Sequence, residues 1–266
     1  MSASSARLED RPTPSRVELV VRSALFWVVF VTTLLIFAPL TLLVWPLPFR
    51  LRYRVATQWG RLSLAWLSLT CRLTYQVTGA ENIPDETGIV LCKHQSTWET
   101  LAMQKIFPPQ VWVLKRELLW LPFFGWALAA LKPIAINRKA GRKAVEQLVQ
   151  QGTERLAQNL WVIVFPEGTR IAPGQRGRYR IGGAVLAERS GFPVIPVAHN
   201  AGEFWPRHGF VKRPGIIQVV IGPTIMVEGK QAAEILREAE DWIEGTMQKI
   251  SAKTGPQFSP GGDRVA

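Results

Sequence analysis

Residues 23–49 carry no charge, and Arg22 and Arg50 stand at the two ends of that run. A stretch this long exceeds the roughly 20 apolar residues that take a helix across a bilayer. No small-residue cleavage pattern follows a short apolar core, so the segment reads as an uncleaved anchor and not as a signal peptide. A helix buried in a globular core would show a polar face, and between Leu25 and Leu35 only threonines offer one. Orientation is nearly tied under the positive-inside rule. Arg7, Arg11, Arg16 and Arg22 precede the run, and Arg50, Arg52, Arg54 and Arg61 follow it. Pro39, Pro46 and Pro48 are expected to break a straight helix in its second half. A helix that enters and returns, leaving both arginine clusters on the cytosolic side, satisfies charges and prolines together. Beyond it, Val55, Trp59, Leu62, Trp66 and Leu69 recur at helical spacing among arginines. That pattern suits a helix lying in the membrane interface or one packed on a core.

A soluble pattern begins near Arg72. Residues 73–77, 88–92, 111–114, 134–136, 160–165, 194–197 and 216–221 read as strands, and 97–107, 141–158, 183–189 and 230–250 as helices. Residues 118–131 are strongly apolar but too short to span, so they form either a core helix or an interfacial one. Strands alternating with helices predict an α/β fold: a mainly parallel sheet flanked by helices, with an N-terminal membrane-embedded helix or helical hairpin. The expected divisions are a disordered tail over 1–16, an anchor and interfacial helix over 17–71, a catalytic domain over 72–250 and a disordered tail over 251–266.

A net charge of +12 calls for an anionic partner, which means phospholipid headgroups, phosphorylated substrates or nucleic acid. The 11 tryptophans favour the lipid interface. Cys71 and Cys92 have no metal-ligand spacing and the three histidines are scattered, so neither a zinc site nor a disulfide framework is expected.

Two short segments stand where a buried strand gives way to polar residues, the edge at which parallel sheets hold ligands. The first is Lys93-His94-Gln95-Ser96-Thr97-Trp98-Glu99. His94 can take a proton from an alcohol, and Glu99, about one helical turn on, can hold the other ring N–H. Ser96 and Glu99 also have capping-box spacing, and both roles are compatible. Among the histidines, His94 is read as the one set between a buried strand and a helix. Cys92 precedes it by two, but a thiol in an apolar run is expected to be inert. Ser96 lacks the surroundings of a nucleophile elbow and reads as a cap. The second segment is Phe165-Pro166-Glu167-Gly168-Thr169-Arg170, a glycine turn ending in arginine that can hold an oxyanion or phosphate. Arg138, after another short strand, is expected to converge on the same edge. Arg207 and Lys212 lie outside these segments and are expected to serve the lipid surface.

Together these residues resemble the glycerophospholipid acyltransferase family, in particular 1-acyl-sn-glycerol-3-phosphate acyltransferases. His94 matches the histidine of the family's His-x4-Asp motif, with Glu99 where aspartate is usual and Lys93 where asparagine is common. Arg138 matches the second block, residues 165–170 the third, and Val194-Ile195-Pro196-Val197 the fourth. The resemblance covers residues 89–197. It implies transfer of a fatty acyl group from acyl-CoA or acyl carrier protein to the sn-2 hydroxyl of lysophosphatidic acid. His94 and Glu99 would be catalytic, and Arg138, Glu167, Gly168, Thr169 and Arg170 would bind the acceptor. No metal and no cofactor beyond the thioester co-substrate is implied, and the expected location is the cytosolic face of a bacterial inner membrane. Rival readings are acylation of another lysolipid or of glycerol 3-phosphate, and a non-catalytic membrane-tethered binder of anionic lipid or nucleic acid. The binder would show dispersed basic and aromatic residues, not a histidine–carboxylate pair beside an arginine turn.

Overall fold

The computed structural model describes residues 14–251. The expected disordered tails therefore fall almost wholly outside it, although Arg16 is already helical behind a Ser15 cap. The chain begins with helix α1 (Arg16–Leu43), which runs through Pro39 without a break. Pro46 and Pro48 instead sit in the turn before α2 (Phe49–Cys71). The helices pack as a hairpin: the Trp59 and Trp66 indoles donate to the main-chain carbonyls of Phe30 and Leu25, at 3.2 and 3.1 Å. Arg16 and Arg50 consequently lie at opposite ends of α1, about 40 Å apart at the helical rise. The return on one side expected within residues 23–49 is corrected: α2 makes the return, because one proline lost only one helical hydrogen bond.

Next come β1 (Leu73–Thr78), β2 (Ile89–Cys92), α3 (Trp98–Ile106), β3 (Gln110–Lys115), α4 (Phe124–Ala129), β4 (Ile134–Ile136) and α5 (Arg142–Leu156). They are followed by β5 (Trp161–Val164), α6 (Gly182–Ser190), β6 (Val194–His199), α7 (Ala201–Phe204), β7 (Gly215–Ile221) and α8 (Ala232–Ser251). The seven strands form one sheet in the order β1-β7-β6-β2-β5-β3-β4. Pairing is parallel except between β6 and β7, which are antiparallel. No full crossover helix joins those two strands, only the short α7 and a loop, so the chain re-enters from the same edge.

Burial follows the sequence pattern. The uninterrupted apolar runs of β2, β5 and β6 are wholly buried in the middle, while β1 and β7 alternate towards one edge. Successive residues then serve opposite cores. Ile89 and Leu91 join α5, α6 and α8, whereas Val90 and Cys92 join Trp98, Leu67, Phe26 and Phe30 from α3, α2 and α1. Thus α1 is part of the fold along one face. On its other side Val17, Leu25, Val28, Leu35 and Leu43 stand exposed, and by length and composition it can cross a membrane. Residues 118–131 divide between the two expected roles. Trp120, Phe123 and Trp126 are exposed, while Ala127, Ala130 and Leu131 are buried.

Lys212 overturns its expected place on the surface. It is fully buried, with Nζ 3.7 Å from the Trp27 ring centre and 4.8 and 5.2 Å from those of Trp205 and Phe26. The ammonium donates to the Phe210 carbonyl at 2.7 Å, and the Lys212 main-chain N–H donates to Ser23 Oγ at 2.9 Å. Burial pushes its pKa down to about 7, while the ring faces favour the charged form and work against that.

Candidate active site

The strand ends of β2, β5 and β6 lie side by side, which brings the two polar segments together. His94 leaves β2 with its ring stacked on Phe165, centroids 4.1 Å apart and planes 16° apart. Its Nδ1 is 2.8 Å from Glu99 Oε1. Glu99 sits in the first turn of α3, fully buried, and the same oxygen accepts the main-chain N–H groups of Gln95 and Ser96 at 2.9 and 2.7 Å. Orienter and helix cap are therefore one carboxylate, and Ser96 Oγ adds a bond from the Trp98 N–H. Burial raises the Glu99 pKa, but His199, His94 and the Ser96 N–H outweigh it and hold the carboxyl below its ordinary value. An ionised Glu99 only accepts, so Nδ1 carries the imidazole proton and Nε2 is the basic nitrogen.

His94 forms part of the wall of a cavity of about 380 Å³. Arg138 and Arg170 stand on the same wall, and Leu34, Phe37, Ala38, Ala56, Trp59 and Leu131 line apolar parts of it. Arg138 donates to the Gly168 carbonyl at 2.7 Å. Gly168 holds φ at +67°, a conformation that residues with a side chain rarely adopt, and an added Cβ would also press on the Arg180 side chain, with Nε at 2.8 Å. Burial lowers the pKa of Arg138, and Arg180 lowers it further. Burial also lowers that of Arg170; Glu99 acts against this and Arg207 with it. Among the described residues neither Arg138 nor Arg170 is within ion-pair distance of a carboxylate. An arriving anion would relieve this crowding of like charge.

Of the residues singled out from sequence, His94, Glu99, Arg138, Gly168 and Arg170 come together as expected. Glu167 does not face the cavity. Its carboxylate is buried and turned inward, one oxygen accepting from Lys93 Nζ at 2.7 Å and the other from the His94 main-chain N–H at 2.8 Å. Thr169 is exposed on the turn and is not part of the cavity wall. Cys92 is buried, and burial together with Glu99 and Glu167 pushes its thiol well up, so it is a poor nucleophile. Among the described residues no group of three His, Cys, Asp or Glu side chains is placed to hold a metal.

Sequence reasoning missed His199. It too closes a buried strand ahead of a helix, so His94 is not singular in that respect. His199 Nε2 lies 2.8 Å from the Lys93 carbonyl and 4.0 Å from Glu99 Oε2, which has no hydrogen bond among the described residues. The pairing of β6 with β2 brings it there; a six-residue apolar strand ending in histidine was the available clue.

The comparisons with known proteins fit this geometry. A family model described as Acyltransferase matches residues 74–200, from β1 to the end of β6. A 1-acyl-sn-glycerol-3-phosphate acyltransferase of Pseudomonas aeruginosa is 47% identical over 236 residues, covering 87% of this chain and 92% of that protein. The chain belongs to the acyltransferase family. More distant relatives of this acyltransferase carry the same description. The one from Saccharomyces cerevisiae is 28% identical, covering 69% of this chain and 63% of its own length. The alpha form from Mus musculus is 28% identical, with 76% and 72% covered. The crystal structure of the 1-acyl-sn-glycerophosphate acyltransferase of Thermotoga maritima shares the fold, with a TM-score of 0.74 at 20% identity. That match covers 91% of this chain and 99% of the other.

Proposed function

We propose that this acyltransferase moves a fatty acyl group from a thioester, acyl-CoA or acyl carrier protein, to the sn-2 hydroxyl of 1-acyl-sn-glycerol 3-phosphate, making phosphatidic acid. The observation that carries the reading is a histidine held at Nδ1 by a buried carboxylate, on the wall of a cavity with a long apolar lining and two arginines that pair with no carboxylate among the described residues. His94 Nε2 takes the proton of the hydroxyl as its oxygen attacks the thioester carbonyl. Glu99 stabilises the imidazolium that forms. The tetrahedral intermediate collapses by expelling the thiolate, which recovers the proton from His94, so the ester and the free thiol leave with the base restored. Base catalysis of this kind contributes about 10²–10⁴-fold.

Arg138 and Arg170 meet the acceptor's phosphate, and Gly168 and Thr169 shape the turn that aims Arg170. Glu167 secures the His94 main chain in place of a contact with the acceptor. The apolar lining contributed by α1, α2, α3 and α4 suits an acyl chain. The exposed apolar side of α1 and the exposed rings of Trp120, Phe123 and Trp126 support a cavity that opens at a membrane, which in this reading is the cytosolic face of a bacterial inner membrane. Formation of the acylated product from each of a panel of acceptors, with each thioester donor, tests it. The expected result is the highest kcat/KM with 1-acyl-sn-glycerol 3-phosphate. A preference for glycerol 3-phosphate or for a lysolipid lacking a terminal phosphate would refute the acceptor assignment.

A further inference from the structure

Behind the His94 loop lies a charged cluster that is not part of the cavity wall. Lys93, 1% exposed, directs its ammonium between two carboxylates, Glu167 Oε1 at 2.7 Å and Glu244 Oε1 at 2.8 Å. The Tyr179 hydroxyl donates to the same Glu244 oxygen at 2.8 Å. The remaining Glu167 oxygen accepts the His94 main-chain N–H at 2.8 Å. The network thus joins the end of β2, the turn after β5, the loop before α6 and the middle of α8. Burial pushes the Glu167 carboxyl above its ordinary pKa, and Lys93 works against that. Without the ammonium, Glu167 would be a buried charge beside another carboxylate. It would then move or take up a proton, and in either case its hold on the His94 main chain would change.

We propose that Lys93 and Glu244 are positioning residues for acyl transfer: they fix Glu167, and through it the main chain of His94. The inference rests on His94 being the base. That ring has two other restraints, Glu99 at Nδ1 and Phe165 beneath it. Both act on the side chain, whereas Glu167 sets the start of the loop from which the side chain projects. The His94 carbonyl is secured separately by the Ile171 N–H at 2.8 Å. The C-terminal helix α8 is thereby a part of the catalytic apparatus, although Glu244 stands far from His94 in the chain and makes no contact with substrate space.

The test is steady-state kinetics on purified full-length protein in mixed micelles, with each substrate varied, beside melting temperatures. Lys93→Met and Glu167→Ala should each lower kcat by about 10²-fold, the scale of a small misplacement of a reacting group, with both KM values unchanged. Because Lys93 acts through Glu167, Lys93→Met added to Glu167→Ala should cost no further activity. In the Lys93→Met background, Glu167→Gln should recover most of the rate, since its neutral amide oxygen accepts the His94 N–H and its NH₂ no longer meets the Lys93 ammonium. Glu244→Ala removes the oxygen that holds Lys93 and Tyr179, and it stands at the partly exposed end of the cluster. It provides a folded variant if Lys93→Met does not fold, and should lower kcat at a near-normal melting temperature. The inference is overturned if Lys93→Met or Glu244→Ala leaves kcat unchanged whatever the melting temperature, if the losses of Lys93→Met and Glu167→Ala multiply in the double variant, or if, in the Lys93→Met background, Glu167→Gln is as harmful as Glu167→Ala. Activity surviving in His94→Ala would instead remove the base reading. An inactive His94→Ala beside multiplying losses would remove this inference alone.

Discussion

Exchange of Glu99 for glutamine isolates the charge behind His94. The glutamine carbonyl can stand where Glu99 Oε1 does and still accept from His94 Nδ1 and the N–H groups of Gln95 and Ser96, all now within 2.9 Å. Those two main-chain donors disfavour the flipped amide, whose NH₂ would face them. The fold and the imidazole tautomer are therefore retained, and what is lost is the charge assistance to the imidazolium. A buried hydrogen bond to a charged group contributes about 1.5–3 kcal/mol, which corresponds to a loss of about 10–150-fold in kcat. Neither KM should change, because Glu99 is not on the cavity wall. Following thiol release from acyl-CoA with a disulfide chromogen measures this directly; Cys71 and Cys92 are both buried and add little background. Glu99→Gln at the unsubstituted rate would show that Glu99 is a helix cap only. Equal rises in both KM values would place it in binding.

Three further substitutions address the cavity and the anchor. Arg170→Lys keeps the charge but loses the guanidinium fork, so KM for the acceptor should rise by about tenfold with little change for the thioester; equal small effects on both substrates would misplace the phosphate site. Ala38→Phe fills part of the apolar lining contributed by α1. Each methylene kept out should forfeit about 0.8 kcal/mol, or about fourfold in kcat/KM, and so move donor preference to shorter chains; an unchanged chain-length profile would separate the cavity from the acyl group. Lys212, at about 7 in the fold against an ordinary 10.5, leaves the unfolded chain holding more protons between those values. Stability should therefore rise with pH from about 7 to about 8.5, by at most about 1.4 kcal/mol per unit, and Lys212→Met should flatten that rise in detergent melts. Above that range the Cys71 and Cys92 thiols, pushed up by burial, act in the opposite sense. An identical slope in both proteins would mean that the aromatic cage holds Lys212 charged throughout.

Much of the site was legible because its parts are local. An uninterrupted apolar strand, then a histidine and a carboxylate within one turn, or a glycine and an arginine within another, describe themselves in six or seven residues. The features that escaped depend on partners far along the chain. Lys93 stands in the sequence only as a departure from the asparagine common before the histidine, until Glu244, from α8, is placed beside it. Lys212 reads as a lipid-surface charge until α1 supplies Phe26 and Trp27. Glu167 lies in a matched block, yet its direction follows from the Lys93 ammonium and not from the block. Pro39 argued for a break, but packing of α1 on α2 and the sheet outweighed one missing hydrogen bond. That packing also means that removal of residues 1–50 would strip Phe26 and Phe30 from the core and Leu34, Phe37, Ala38 and Thr41 from the cavity. Such a truncation tests folding as much as membrane attachment.

The central claim is that His94 abstracts the proton of the acceptor hydroxyl. Single-turnover formation of phosphatidic acid by His94→Ala, with labelled 1-acyl-sn-glycerol 3-phosphate and saturating acyl-CoA, tests it most directly. The account predicts a loss of at least about 10²-fold, the lower bound for a general base, in protein that melts normally and still binds both substrates. Product appearing at the unsubstituted rate would contradict it.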